Sequence, residues 1–143
     1  MYHPQKICTY KGAVLTNECD SNNHMNIMYY INKFEHAGRN FSHELGIGKP
    51  FLKEKNYGVA VVEQFIQYKR EVYEDDIVHI YSHAIEATDK VFTVCHEMYN
   101  MENETLSAVI KIKLVIFDLN KRKAILIPDN IKQSITSHTI DHE

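Results

Sequence analysis

The sequence predicts an α+β fold: one long helix wrapped by a curved antiparallel sheet of about five strands. Three observations carry this prediction. Residues 27–45 repeat apolar side chains at three- and four-residue steps, the spacing of one helical face. Four later stretches alternate at period two and are rich in β-branched and aromatic residues. The breaks between those stretches are short and polar, as turns between antiparallel neighbours are. A helix with an apolar stripe needs a covering layer, and here the sheet has to supply it.

Taken in order, a first strand falls within 6–15. The polar loop Thr16-Asn17-Glu18-Cys19-Asp20-Ser21-Asn22-Asn23 follows, full of turn and cap formers. The helix uses Ile27, Tyr30, Ile31, Phe34, Ala37, Gly38, Phe41 and Leu45 as one face; Asn23 or Asn26 can cap its start and Gly46 can end it. Gly38 in mid-helix costs about 1 kcal/mol relative to Ala, and its use is close approach to whatever packs there. A loop with Gly48, Lys49 and Pro50 leads to strands at 58–69, 76–87, 90–101 and 106–119. In the last strand Ala108, Ile110, Ile112, Leu114 and Ile116 share one face, while Val109, Lys111, Lys113, Val115 and Phe117 share the other. That mixed outer face has nothing in the chain to cover it, which points to burial in an oligomer. Glu74-Asp75-Asp76 reads as a tight meander turn, and residues 134–143 read as a flexible polar tail.

Composition fits a single domain over 1–143: 44% of the residues are hydrophobic, and 16 Lys+Arg face 19 Asp+Glu. The lack of a basic excess argues against a general nucleic-acid binder. No apolar run approaches the roughly 20 residues that cross a bilayer, and no apolar leader segment is visible. Cys8, Cys19 and Cys95 are odd in number and scattered, which fits reduced thiols and a cytoplasmic location. The nine histidines do not form a metal pattern. His79 and His83 are roughly 13 Å apart on an extended strand, and Cys95 and His96 point to opposite faces.

Asp20-Ser21-Asn22-Asn23-His24-Met25-Asn26-Ile27-Met28-Tyr29-Tyr30, followed by Phe34-Glu35-His36-Ala37, resembles the opening of the hotdog-fold acyl-CoA thioesterases. The closer branch is the 4-hydroxybenzoyl-CoA thioesterase-like one, and the His-Met-Asn and paired-Tyr version looks most like thioesterases acting on betainyl-CoA. Tyr68-Lys69-Arg70 leading into Glu74-Asp75-Asp76, and Phe117-Asp118 with Ile127-Pro128-Asp129-Asn130-Ile131, are consistent with it. One departure stands out: the family usually has Gly where this chain has Asn23, and Asn tolerates left-handed backbone better than most residues. The resemblance implies hydrolysis of an acyl-CoA thioester to free acid and coenzyme A. It implies no cofactor, since coenzyme A is part of the substrate, and a homodimer or homotetramer with sites between subunits.

Thioester hydrolysis needs a base or nucleophile, a donor for the developing oxyanion and a groove for the carrier. Asp20 is the candidate acid, because a carboxylate can deprotonate water or attack the carbonyl, although the same residue suits a turn. The start of the helix offers unpaired N–H groups and about half a positive charge, and the resemblance places the oxyanion donor at the backbone amide of Ile27. His24 orients the acid, binds substrate or relays a proton, or is a loop histidine bonded to backbone. Asn26 is a helix cap or loop brace and a candidate substrate contact, and Tyr30 is core or places its hydroxyl in the acyl pocket. Glu35, a rival acid on the helix itself, lies roughly 12 Å along the axis from Ile27, too deep for the catalytic acid, and Glu63 is the other rival acid or an edge or outward-facing residue. Lys69, Arg70 and Lys90 are candidates to hold the coenzyme A phosphates, with Lys53 and Lys55 also available. The rival reading is a non-catalytic hotdog domain that binds acyl-CoA or an acyl-carrier protein.

Overall fold

The chain begins with β1 (Ile7–Ala13) and a 3-10 turn at Thr16–Glu18, then enters α1 (Ile27–Glu44). A second helix, α2 (Lys49–Lys55), precedes β2 (Tyr57–Tyr68), β3 (Ile77–Ala87), β4 (Val91–Asn100) and β5 (Thr105–Asp118). A short β6 (Lys123–Ala124) and α3 (Asp129–Ser137) complete it. This is a computed structural model, and it describes residues 5–140. The sheet is antiparallel throughout in the order β1-β3-β4-β5-β2, with β6 pairing the end of β5.

The α+β expectation holds: one face of the sheet curls round α1. Tyr30, Phe34, Ala37 and Phe41 of the helix are buried against Ile80, Val94, Met98, Ile110 and Ile116 of the strands. Each of the Phe, Ile, Val and Met side chains among them gains about 1.5–3 kcal/mol on leaving water. The ends of α1 follow local chemistry. Asn26 is the N-cap, its side chain accepting from the Met28 N–H at 3.0 Å. At the other end Gly46, at φ +88°, lets the Gly46 N–H reach the His43 carbonyl and the Ile47 N–H reach that of Ser42. That double bond pattern needs a left-handed residue, which Gly adopts freely.

Four expectations are corrected. The 74–76 segment is not a meander turn, because β2 pairs with β5 and β3 pairs with β1. The link between them crosses three strand spacings, about 14 Å, well within the roughly 26 Å reach of eight extended residues. Burial of Val72 (0% exposed) and a 2.8 Å bond from the Met25 N–H to the Val72 carbonyl stabilise that crossing. The loop expected at 49–50 is the first turn of α2, where the fixed φ of Pro50 suits a helix start. The tail expected at 134–143 is ordered through Ile140. Ile127, Ile131 and Ile135 form an apolar stripe at four-residue steps, and the strand edge at Ala84 bonds to His138 and Ile140; residues 141–143 lie outside the described ones. Lastly, Ile27 is exposed and Lys33 is buried on α1, the reverse of what hydrophobicity alone assigns.

Lys33 is buried because it has a partner. Its ammonium donates to both carboxylate oxygens of Glu18, at 3.0 and 3.1 Å, and to the Tyr10 hydroxyl at 3.2 Å. The same carboxylate accepts from the Leu15 N–H at 2.9 Å, and the Glu18 carbonyl accepts from the Asn26 N–H at 2.8 Å. Removing one member of a buried pair leaves an uncompensated charge, at a cost of about 3–5 kcal/mol. Lys33→Met therefore lowers stability by about that amount in urea unfolding. The double variant Lys33→Met/Glu18→Gln recovers part of the loss, since the amide oxygen still accepts from Leu15 without the charge. A single-variant loss below about 1 kcal/mol contradicts a tightly coupled buried pair.

Candidate active site

The loop between the 3-10 turn and α1 is a closed hairpin. Cys19 and Met25 form an antiparallel bridge, and the Asp20 N–H donates to the His24 carbonyl at 3.0 Å. Asp20 Oδ1 accepts from the Asn22 N–H at 2.9 Å, and the Asp20 carbonyl accepts from the Asn23 N–H at 3.0 Å. Both are bonds that short polar side chains favour in turns. Asn23 sits at φ +68°, in the left-handed region. The turn thus demands what Gly supplies most easily, and Asn is among the few other residues that tolerate it.

The crossing link forms the second wall. His24 bridges to Tyr73, beside the Met25–Val72 bond, so the loop and the link run antiparallel for a short distance. This places Glu71 next to His24. The imidazole lies between two carboxylates, with Nδ1 3.8 Å from Asp20 Oδ2 and Nε2 3.8 Å from Glu71 Oε1. Nδ1 is also 3.3 Å from the Met25 carbonyl. The Asp20 and His24 side chains keep about a quarter of their surface exposed, and that of Glu71 more than half. The Tyr73 hydroxyl donates to the other Glu71 oxygen at 2.7 Å. Burial, reinforced by the charge of Glu71, pushes the Tyr30 hydroxyl up to about 12, so it stays a protonated donor. Its ring packs edge-on against Tyr68 at 5.1 Å between centroids.

At the start of α1 the Met28 N–H is taken by the Asn26 side chain and the Tyr29 N–H by the Asn26 carbonyl. The Ile27 N–H has no partner among the described residues. A free amide therefore stands at the positive end of the helix, at the close of the loop that carries Asp20. The arrangement combines a solvent-reachable carboxylate, a histidine able to hold or pass a proton, and an unoccupied N–H. These are the parts needed to add water to a polarised carbonyl.

The remaining candidates fall in different places. Lys69 and Arg70 sit at this end, where β2 leaves the sheet and both their N–H groups bond to the Ser107 carbonyl, with exposed side chains. Lys90 does not join them within one chain. It occupies the β3–β4 turn, at the far end of a strand roughly 35 Å long. Glu63 is outward-facing and pairs with Lys113 at 3.3 Å. Glu71 was not anticipated, because between a strand ending at 69 and a turn at 74–76 it reads as part of a short link joining neighbouring strands; its one signal was an acid following Tyr68-Lys69-Arg70 before the turn at 73–76.

A cavity of about 700 Å³ lies farther along α1, between its Phe34–Leu45 stretch, the strands β2, β4 and β5, and α2. Phe34, Phe41, Val59, Val61, Phe92 and Leu114 make it chiefly apolar, and Glu35 stands at its wall.

Solved structures share this fold. The hypothetical protein SAV2348 from Staphylococcus aureus, solved in complex with CoA, superposes with a TM-score of 0.85 at 17% identity, covering 93% of this chain and 84% of that one. Slr0204, a 1,4-dihydroxy-2-naphthoyl-CoA thioesterase from Synechocystis, gives 0.79 at 14% identity, over 92% and 96%. The BH1999 gentisyl-coenzyme A thioesterase gives 0.76 at 23% identity, over 89% and 98%. At these identities the likeness is one of fold, and it makes the helix-in-sheet architecture a hotdog fold. No curated protein matches the chain in sequence. Residues 14–135, from the end of β1 to the last turns of α3, match the model of the thioesterase-like superfamily, and the chain belongs to that family.

Proposed function

We propose that the protein hydrolyses acyl-CoA thioesters to the free acid and coenzyme A. The observation that carries this reading is the free Ile27 N–H at the capped start of α1, in the same pinned loop as the Asp20 carboxylate. The thioester carbonyl oxygen rests on the Ile27 amide, which strengthens as charge develops on that oxygen. Asp20 acts as base or nucleophile. As base it takes a proton from water while the water oxygen bonds to the carbonyl carbon. The tetrahedral intermediate then collapses, the carbon–sulfur bond breaks, and the thiolate leaves to be protonated. His24, between Asp20 and Glu71, holds the acid in place and relays protons. Lys69 and Arg70, exposed at this end, suit the phosphates of coenzyme A.

The site is shared by two copies of the chain joined along β2. That strand has β5 on one side, lies at the sheet edge on the other, and exposes Val61, Val62 and Phe65. An exposed apolar edge strand favours pairing with another chain. Antiparallel pairing centred near Val62 and Glu63 sets the Tyr68 end of one copy beside the Tyr57 end of the other. The Asp20 loop of one subunit then meets the cavity of its partner, and the acyl group enters that cavity.

Thiol release from short, long, aromatic and betainyl CoA thioesters tests the chemistry. Asp20→Asn keeps the shape, removes the carboxylate and lowers kcat/KM by about 100-fold or more on the best substrate. Near wild-type release by this variant, or binding of acyl-CoA by the wild type without any release, contradicts the reading. Sedimentation tests the assembly. The wild type runs as a dimer or larger, and Phe65→Glu shifts it toward monomer with loss of thiol release. A fully active wild-type monomer contradicts a shared site.

A further inference from the structure

The charged side chains around the cavity are sorted by sign. The whole sequence carries 16 Lys+Arg against 19 Asp+Glu, a formal net charge of −3. The cavity wall reverses that balance, with Arg39, Lys49 and Lys53 lining it against a single acid, Glu35. Helix periodicity places them there. On α1, Glu35, Arg39 and Ser42 follow one another at steps of four and three, a polar strip beside the apolar stripe of Phe34 and Phe41. On α2, Lys49, Leu52 and Lys53 share the face turned to the cavity, while Glu54, the one acid of that helix, does not line it.

All four charged residues are exposed, and none of their side chains has a hydrogen-bond or ion-pair partner among the described residues. The three cations are therefore open to an anion that a ligand brings. Their alkyl stems lie along the apolar wall, and their charged ends reach water at its rim. A carboxylate taken deep into an apolar cavity loses its hydration without repayment, whereas one held at a rim beside cations keeps water and gains the pairing. The wall and the rim together describe an amphipathic anion: hydrocarbon against Phe34, Phe41, Val59 and Leu114, and a negative group against the cations.

We propose that Arg39, Lys49 and Lys53 bind a carboxylate carried by the acyl group, so that monothioesters of dicarboxylic acids are the preferred substrates. The inference rests on the hydrolase reading above and on the cavity as acyl pocket. The sign of the rim chooses the ligand class. A plain fatty acyl chain covers the same wall and leaves the three cations unpaired. A trimethylammonium group meets three like charges and only one opposite. A carboxylate meets the reverse.

The test compares matched pairs in which a carboxylate replaces the terminal methyl, adipoyl-CoA against hexanoyl-CoA and suberoyl-CoA against octanoyl-CoA. For at least one pair the wild type favours the dicarboxylic member by ~5-fold or more in kcat/KM, the size expected of two or three exposed charge pairs partly offset by Glu35. The ratio shrinks as salt is added. In the Arg39→Gln/Lys49→Gln double variant it falls toward 1, chiefly through a higher KM for the dicarboxylic member. Glu35→Gln, which removes the opposing charge, raises it, a change of sign that a merely structural role would not produce. The phosphates of coenzyme A are the other anions that could reach these cations, and N-acetylcysteamine thioesters, which carry none, separate the two: the preference for the dicarboxylic member persists in them. Equal efficiency within every pair overturns the inference and leaves the hydrolase reading standing. So does a double variant that weakens both CoA thioesters of a pair alike, or a preference for betainyl-CoA over the dicarboxylic thioesters. If no thioester is hydrolysed, the hydrolase reading fails by itself, and calorimetric titration with the same intact pairs decides the anion site, tighter binding of the dicarboxylic members supporting it and equal binding overturning it.

Discussion

The buried pair of Lys33 and Glu18 is the contact on which the site depends. Glu18 grips three things at once: the Leu15 N–H where the chain leaves β1, the ammonium of Lys33 on α1, and, through its carbonyl, the N–H of Asn26. The entry and the exit of the Asp20 loop are thereby tied to one residue, and that residue is tied to the middle of the helix. Desolvating two charges is expensive, and the pair holds because its geometry is close and the carboxylate has further donors. What it secures is direction. Asn26 is fixed as the cap, Ile27 starts the helix, and the Ile27 amide is left free to point back toward the loop.

The sheet order provides the other half of the arrangement. Had β2 paired with β3, a tight turn would have joined them and nothing would have crossed the end of α1. Because β2 pairs with β5, the chain must return over that end to reach β3, and it buries Val72 under the loop as it does so. The crossing carries Glu71 to His24 and turns a loop aspartate into a group of three titratable side chains. The same order leaves β2 at an edge with apolar side chains in the open, and it encloses a cavity whose lining does not include the chain's own Asp20 loop. The free amide and the acid thus share one loop, while the cavity is lined by other residues farther along α1.

Much of this was legible in the residues. The strands and α1 announced themselves because period two and period 3.6 are imposed by burial on one face, and burial dominates their energetics. Asn23 or Asn26 as cap and Gly46 as terminator followed from local hydrogen bonding and backbone freedom, which need no tertiary information, and the structure selects Asn26. The left-handed Asn23 bears out the reasoning about the residue that departs from the family motif. What stayed hidden was non-local. Lys33 reads as a surface cation until its partner fifteen residues earlier is placed beside it. Glu71 reads as part of a short link until the strand order is known. The stripe of Ile127, Ile131 and Ile135 was masked by polar neighbours, and the end of α3 looked like a tail. His96 alternates correctly for an inward residue, yet its 2.6 Å contact with Ser82 is set only by the pairing of β3 with β4.

The central claim is that the reacting carbonyl sits on the Ile27 amide within reach of Asp20. The most direct measurement is a crystal structure of the wild-type protein with a ketone analogue of an acyl-CoA, in which a methylene replaces the thioester sulfur and blocks hydrolysis. The account predicts the ketone oxygen about 2.7–3.1 Å from the Ile27 nitrogen, the Asp20 carboxylate facing the carbonyl carbon directly or through one water, and the acyl group in the cavity. A ketone oxygen turned away from α1, with the analogue bound elsewhere on the molecule, would contradict it.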